Sequence, residues 1–303
     1  MKKLLFCLLL AGAAMQLDAQ SAIANAPHEI LYGRKDGMAL TMTDNMPASP
    51  NGKAIIWVVS GSWYSSYGQR PGPEKLKILL DRGYRVFEVM HGSQPRYNIE
   101  EALADLQRAV RHVRHHAEEY GIDPNKIGIS GASAGGHLSL LIGLMDGKGN
   151  AQAKDPIDRE SAKVQAVAVF YPPTDFANWG GFKDLVLQKQ ALQQFGVLNA
   201  FNFRDWDAKK NMYVSVSNAD SIRMRAAGIS PVTYVSPDDP PVFMYHGTAD
   251  KTVPLQQSQE MLEKLKAAGI HAELKIKENA DHGWRGQWDE LGLFADWFDE
   301  YLK

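Results

Sequence analysis

Cysteine is almost absent: Cys7 is the only one in 303 residues. No intramolecular disulfide can staple this chain, so its stability must come from a hydrophobic core. Hydrophobic residues make up 45% of the composition, enough to build one at this length. An excess of charge is missing as well. The formal net charge of −2 offers no basic surface for nucleic acid or an anionic membrane. Long apolar runs are confined to the amino terminus, and no later run reaches the roughly 18 residues expected of a membrane span. The chain also has no internal repeat and no low-complexity tract.

The amino-terminal run reads as a secretory signal over residues 1–19. Lys2 and Lys3 form its basic start, Leu4 to Met15 its apolar stretch, and Leu17-Asp18-Ala19 a small-residue cleavage site. The apolar stretch is too short to cross a bilayer. The sequence therefore predicts a secreted or periplasmic product without membrane insertion, and cleavage would remove Cys7 as well. Residues 20–303 then form a single domain.

Within that domain, strand-like and helix-like segments alternate, the pattern of an α/β sheet. Short strands are expected near His28–Tyr32 and Met38–Thr43, followed by apolar runs at Ala54–Val59 and Tyr84–Met90. A helix near Ile99–Tyr120 leads to a strand at Lys126–Ser130 and a helix at Ala134–Met145. Strands at Val164–Phe170, Pro241–Tyr245 and Ala272–Lys277 and helices at Leu255–Ala268 and Gly286–Leu302 complete the series. Parallel strands joined by crossover helices account for this spacing. One stretch breaks the rhythm. Residues 174–232 separate two core strands, far more chain than an ordinary connection requires. The segment holds helix-like stretches (Asp184–Phe195, Asp220–Ala227) and the aromatics Phe176, Trp179, Phe182, Phe195, Phe201, Phe203 and Trp206. It reads as a cap-like insertion over the strand ends.

Chemistry first shows at Gly131-Ala132-Ser133-Ala134-Gly135, a G-x-S-x-G sequence between a predicted strand and a predicted helix. A serine on so sharp a turn presents its Oγ outward, beside the positive end of the helix dipole. A serine hydroxyl becomes a useful nucleophile only when a base takes its proton and a third group orients the base. Both partners lie downstream, each just after a predicted strand: Asp250 in His246-Gly247-Thr248-Ala249-Asp250, and His282 in Asp281-His282-Gly283-Trp284. Asp281 is a competing carboxylate, but it adjoins His282 and is poorly placed to reach the imidazole. His137, one turn into the helix, points into packing. His112, His115 and His116 lie among arginines and read as a solvated helix face; no third metal ligand is evident, and no metal or other cofactor is predicted.

Acyl transfer also needs donors for the developing oxyanion. The backbone N–H of Ala134 is one candidate, and the loop Ser60-Gly61-Ser62-Trp63-Tyr64 supplies Gly61 and Ser62 as others. Trp63, Tyr64 and Tyr67 beside this loop, with Trp284 after His282, could offer flat faces to sugar or phenolic rings.

These motifs resemble those of secreted α/β-hydrolase-fold carboxylesterases, close to the bacterial acetyl-xylan and feruloyl esterase-like group. The resemblance runs from about Ala54 to the carboxyl end. Besides the serine, aspartate and histidine motifs, it rests on Tyr120-Gly121-Ile122-Asp123-Pro124, Tyr234-Val235-Ser236-Pro237 and Val253-Pro254. It implies an α/β-hydrolase fold, a Ser133–Asp250–His282 triad and hydrolysis of short or aromatic acyl esters on small molecules or oligosaccharides. Ser60-Gly61-Ser62 stands where such enzymes often carry His-Gly-Gly and differs at two of the three positions. Two rivals remain: a prolyl-oligopeptidase-like peptidase, which would call for a large amino-terminal propeller, and a hydrolase-like binding protein without catalysis.

Overall fold

Apolar runs without alternation become the middle of a sheet covered on both faces. The computed structural model describes residues 28–303, so the expected signal segment lies outside the described residues. Eight strands form the central sheet: β1 (His28–Lys35), β2 (Met38–Asn45), β3 (Ala54–Val58), β4 (Arg85–Val89), β5 (Ile127–Ala132), β6 (Ala166–Phe170), β7 (Val242–Gly247) and β8 (Ala272–Lys277). Their spatial order is β1-β2-β4-β3-β5-β6-β7-β8. β1 and β2 pair antiparallel and β2 runs antiparallel to β4, while every later neighbour is parallel. β3, β6 and β7 are buried along their whole length, whereas β8 at the edge is partly exposed. This is the α/β-hydrolase architecture that the sequence predicts.

Strand periodicity of two sends alternate side chains to two separate cores. On one face Ile56, Val58, Ile129 and Val167 meet the helices α1 (Ile99–His115), α2 (Ala134–Leu144) and α4 (Gln256–Ala267), with α3 (Ala219–Gly228) lying in the insertion. On the other face Ile55, Trp57, Ala168 and Phe243 meet α5 (Leu291–Tyr301) through Phe294 and Phe298. α1 starts at a capping box: Asn98 Oδ1 accepts the Glu101 N–H at 3.0 Å, and Glu101 Oε2 accepts the Asn98 N–H at 2.9 Å. It ends at His115, short of the expected Tyr120, and a turn carries the chain to Gly121. α5 begins at Leu291 because Gln287–Glu290 coils more tightly as a 3₁₀ turn.

The insertion between β6 and β7 differs from its sequence reading. The expected helix over Asp184–Phe195 is interrupted: Leu185–Leu187 is a 3₁₀ turn and only Lys189–Gln194 is α-helical. An antiparallel ribbon of Arg204–Asp207 and Met212–Ser215, unforeseen from the sequence, stands on the surface. Phe176, Trp179, Phe201 and Phe203 are buried, and the segment packs inward through them.

Candidate active site

Ser133 sits between β5 and α2 at φ 55°, ψ −122°, a conformation that side chains with a Cβ seldom adopt. The strain is held by close backbone approach on either side. A Cβ on Gly131 would lie 2.6 Å from the Gly135 carbonyl carbon, and one on Gly135 would lie 2.5 Å from the Val58 carbonyl oxygen. Glycine is required at both positions for that reason. The Ser133 N–H donates to the Phe170 carbonyl at 3.0 Å, which fixes the turn against β6.

The loops after β7 and β8 bring two more side chains to this turn. His282 Nε2 lies 2.8 Å from Ser133 Oγ, and His282 Nδ1 lies 2.8 Å from Asp250 Oδ2. Asp250 is itself held from several directions. Its Oδ1 accepts the N–H groups of Thr252 and Val253, both at 2.8 Å. Its Oδ2 stands 3.4 Å from Nε2 of the fully buried His246. Burial alone would raise the Asp250 pKa, but hydrogen bonds from His246, His282 and the Val253 N–H carry it well below the usual carboxylate range. Asp250 therefore stays anionic opposite the imidazole. Asp281 takes a different part: its Oδ1 accepts the backbone N–H of Lys251 at 3.0 Å and of His282 at 2.8 Å, bracing the loop.

Two groups at this site were missed from the sequence. His246 accepts from Ser258 Oγ at Nδ1, 2.7 Å away, and donates from Nε2 to the Val253 carbonyl at 2.9 Å. It thereby holds the loop that carries Asp250. Tyr171 lays its ring against His282, centroid to centroid 4.5 Å, and its hydroxyl donates to Gln287 Oε1 at 3.0 Å. The position of His246 in the Asp250 motif was a usable signal; Tyr171 left none.

The loop after β3 makes a tight turn with positive φ at Ser62 (52°) and Trp63 (56°). Gly61 and Tyr64 exchange backbone hydrogen bonds across it, at 2.9 and 2.8 Å. The Gly61 N–H is therefore already taken, which corrects its assignment as an oxyanion donor. The N–H groups of Ser62, Trp63 and Ala134 have no partner among the described residues. Ser62, Trp63, Ser133 and Ala134 line one small cavity of about 50 Å³. The loop is pinned in place: Gly135 N–H donates to the Ser60 carbonyl at 3.1 Å, and Gln94 Nε2 donates to the Ser62 carbonyl at 2.7 Å.

The aromatic residues separate into different roles. Trp63 borders the cavity but is otherwise buried, with its Nε1 donating to His137 Nδ1 at 3.0 Å. Tyr64 and Tyr67 are 47% and 55% exposed, outside the cavity but on the same loop. Trp284 is half-buried: its ring meets Phe170, Tyr171 and Tyr245 in edge-type contacts, its Nε1 donates to Glu290 Oε2 at 2.9 Å, and it does not line the cavity at Ser133, which corrects its assignment there. Trp179 of the insertion borders the cavity, whereas Trp206 is 53% exposed on the surface ribbon.

His112 is also corrected. It is buried, stacked 4.2 Å from His116, and its Nε2 meets the Tyr120 hydroxyl at 3.2 Å. Burial lowers its pKa to about 4, with the neighbouring His116 adding to the effect. Among the described residues, no group of three or more His, Cys, Asp or Glu is placed to hold a metal ion.

The chain is similar to known proteins in sequence and in fold. Over 260 residues the chain is 25% identical to the probable carboxylic ester hydrolase LipM of Mycobacterium tuberculosis, covering 82% of this chain and 54% of that protein. It is 27% identical to esterase LipQ of the same organism, covering 90% and 64% respectively. The chain thus spans between half and two thirds of the length of these relatives. A shorter match, 30% identical over 145 residues, links 48% of the chain to 29% of an acetylxylan esterase of Xylanibacter ruminicola. Among solved structures, the butyrate-bound esterase Est2 of Thermogutta terrifontis gives a TM-score of 0.66 at 25% identity, covering 91% of this chain and 93% of that one. The acetyl ester-xyloside bifunctional hydrolase of Caldicellulosiruptor lactoaceticus has the same fold, with a TM-score of 0.66 at 24% identity over 91% and 93% of the two chains. The BD-FAE family model matches residues 42–265, and the chain belongs to that family.

Proposed function

We propose that this chain is a serine carboxylesterase that removes short acyl groups from carbohydrate esters. The observation that carries the reading is the continuous line from Asp250 through His282 to Ser133, two contacts of 2.8 Å, beside backbone N–H groups with no partner. His282 takes the Ser133 proton as Oγ attacks the ester carbonyl, and the anionic Asp250 stabilises the imidazolium that forms. Negative charge grows on the carbonyl oxygen, where the N–H groups of Ala134 and Ser62 receive it, with Trp63 N–H as a third donor. His282 then returns the proton to the departing alcohol, leaving an acyl-Ser133. Water, deprotonated by the same imidazole, hydrolyses that ester and restores the serine.

The cavity supports the shorter of the two acyl classes. One water centre needs roughly 10–15 Å³, so the 50 Å³ beside Ser133 matches an acetyl to butyryl chain better than a feruloyl ring. Esterase and acetylxylan esterase relatives support the reaction class, and the exposed Tyr64 and Tyr67 suit contact with a sugar on the alcohol side. The basic and apolar amino terminus supports export as the setting. Equal concentrations of acetylated xylo-oligosaccharide, feruloylated oligosaccharide and long-chain triglyceride test the proposal. Preferred release of acetate is expected; preference for the triglyceride would overturn the carbohydrate assignment.

A further inference from the structure

Two cavities in the capped half of the molecule share a single side chain. The first is the 50 Å³ cavity at Ser133, bordered by Ser62, Trp63, Ala134, Trp179 and Phe201. The second, about 460 Å³, lies wholly within the insertion and is walled by Leu187, Leu198, Phe203, Val216, Ile222 and, again, Phe201. No other residue lines both. The Phe201 ring is buried and held edge-on by Trp63 at 5.2 Å and by Phe176 at 4.9 Å between centroids. Those neighbours fix it as a wall.

We propose that Phe201 is the partition that limits acyl length, and that the insertion cleft behind it is an apolar compartment able to take the tail of a medium-chain acyl group once that wall is removed. The inference rests on the esterase reading above and adds the residue that sets its specificity. With Phe201 in place, an acyl chain entering beside Ser62 and Ser133 meets the ring after a few carbons. With the ring removed, the chain gains a path from polar catalytic groups into a space lined mainly by apolar side chains, with Lys189, Asn199, Asn202, Ser215 and Ser217 completing its wall. Each methylene buried there is worth about fourfold in binding, so four extra carbons give ample range for a measurable switch.

The test compares nitrophenyl acetate, butyrate, hexanoate and octanoate as substrates of the full chain. For the wild-type protein, kcat/KM should fall at least about tenfold from butyrate to octanoate, since the longer chain collides with the fixed Phe201 ring and must leave its productive position. In Phe201→Ala the ratio of octanoate to butyrate should rise by at least about tenfold. Truncating a buried ring is costly to stability, so Phe201→Leu provides a milder variant with an intermediate rise in that ratio, and circular dichroism identifies the folded proteins. Adding Ile222→Trp to Phe201→Ala should refill the cleft and bring the ratio back toward the wild-type value. Equal use of octanoate and butyrate by the wild type, or an unchanged ratio in the folded variants, overturns the partition while leaving the esterase reading intact. Failure of the wild type to hydrolyse any of the four esters overturns both.

Discussion

Trp63 donates its indole N–H to His137 Nδ1 at 3.0 Å, and Nε2 of the same imidazole donates to the Ile229 carbonyl at 2.7 Å. One buried histidine on α2 thus joins the loop after β3 to the end of the insertion. Burial lowers its pKa to about 4, so the ring is neutral at pH 7, as one accepting and one donating nitrogen require. The relationship has a mechanical consequence. Ser62 and Trp63, which line the cavity, hold their positive-φ turn partly because the indole cannot swing away.

Replacing His137 with Leu should therefore weaken both stability and catalysis. Two buried polar groups, the Trp63 N–H and the Ile229 carbonyl, lose their partner, at about 1–3 kcal/mol each. Thermal unfolding should show a loss of that size, and kcat on a short-chain ester should drop more than KM rises, because the oxyanion donors are displaced. His137→Gln, which keeps an acceptor and a donor, should recover part of both. Full activity in a folded His137→Leu protein would show that the indole contact does not position the loop.

Ser133→Ala and His282→Ala should each lower ester turnover by several orders of magnitude, on the order of 10⁴ to 10⁶, with Asp250→Asn at the lower end. Combining Ser133→Ala with His282→Ala should add almost nothing to either alone, since the two groups act as one unit. Steady-state kinetics on nitrophenyl acetate, with circular dichroism to confirm folding, measures this. Losses that multiply in the double variant would mean that the two side chains do separate jobs.

The alternation of strands and helices, both halves of the turn at Ser133 and the positions of Asp250 and His282 were legible because each depends on short-range signals, whereas the spatial order of the strands was not. Uninterrupted apolar runs mark buried parallel strands, and glycines two residues either side of a serine mark a turn that only they allow. Other features depend on contacts remote in sequence, which no local pattern encodes. Gly61 looks like an available donor until Tyr64 is seen returning across the turn to take its N–H. Trp284 looks like a binding face until Phe170, from a strand more than a hundred residues earlier, is found against it. The ribbon of Arg204–Asp207 and Met212–Ser215 is exposed on both faces, so it lacks the alternation of apolar and polar residues that would have revealed it.

Ser62→Gly should preserve ester turnover and leave stability unchanged or raise it. Ser62 adopts φ 52°, which costs a residue with a Cβ on the order of 1 kcal/mol and costs glycine little. If the backbone N–H is the group that matters, deleting the side chain removes strain without removing the donor. Ser62→Val, with a branched Cβ in the same conformation, should lose stability and turnover together. The comparison needs only melting temperatures and kcat/KM for the two variants. A large loss of turnover in Ser62→Gly would assign the work to the hydroxyl.

Acid should destabilise the fold in a window set by three buried histidines. Burial lowers His91, His112 and His137 from 6.5 to about 4. Below about pH 6.5 the unfolded chain takes up a proton at each position, while the native chain does not until about pH 4. The unfolded state therefore binds more protons across that interval, and stability falls as pH falls through it. The contribution is present in full above pH 6.5 and is lost by about pH 4. At about 1.4 kcal/mol per tenfold difference in proton affinity, each histidine accounts for up to about 3 kcal/mol. Between pH 7.5 and pH 5 the melting temperature should drop by on the order of 10 °C from these three groups. His137→Gln should start lower yet lose less over the same range, because one of the three proton-linked contributions is gone. An identical slope in wild type and His137→Gln would mean that His137 is not one of the groups taking up protons on unfolding.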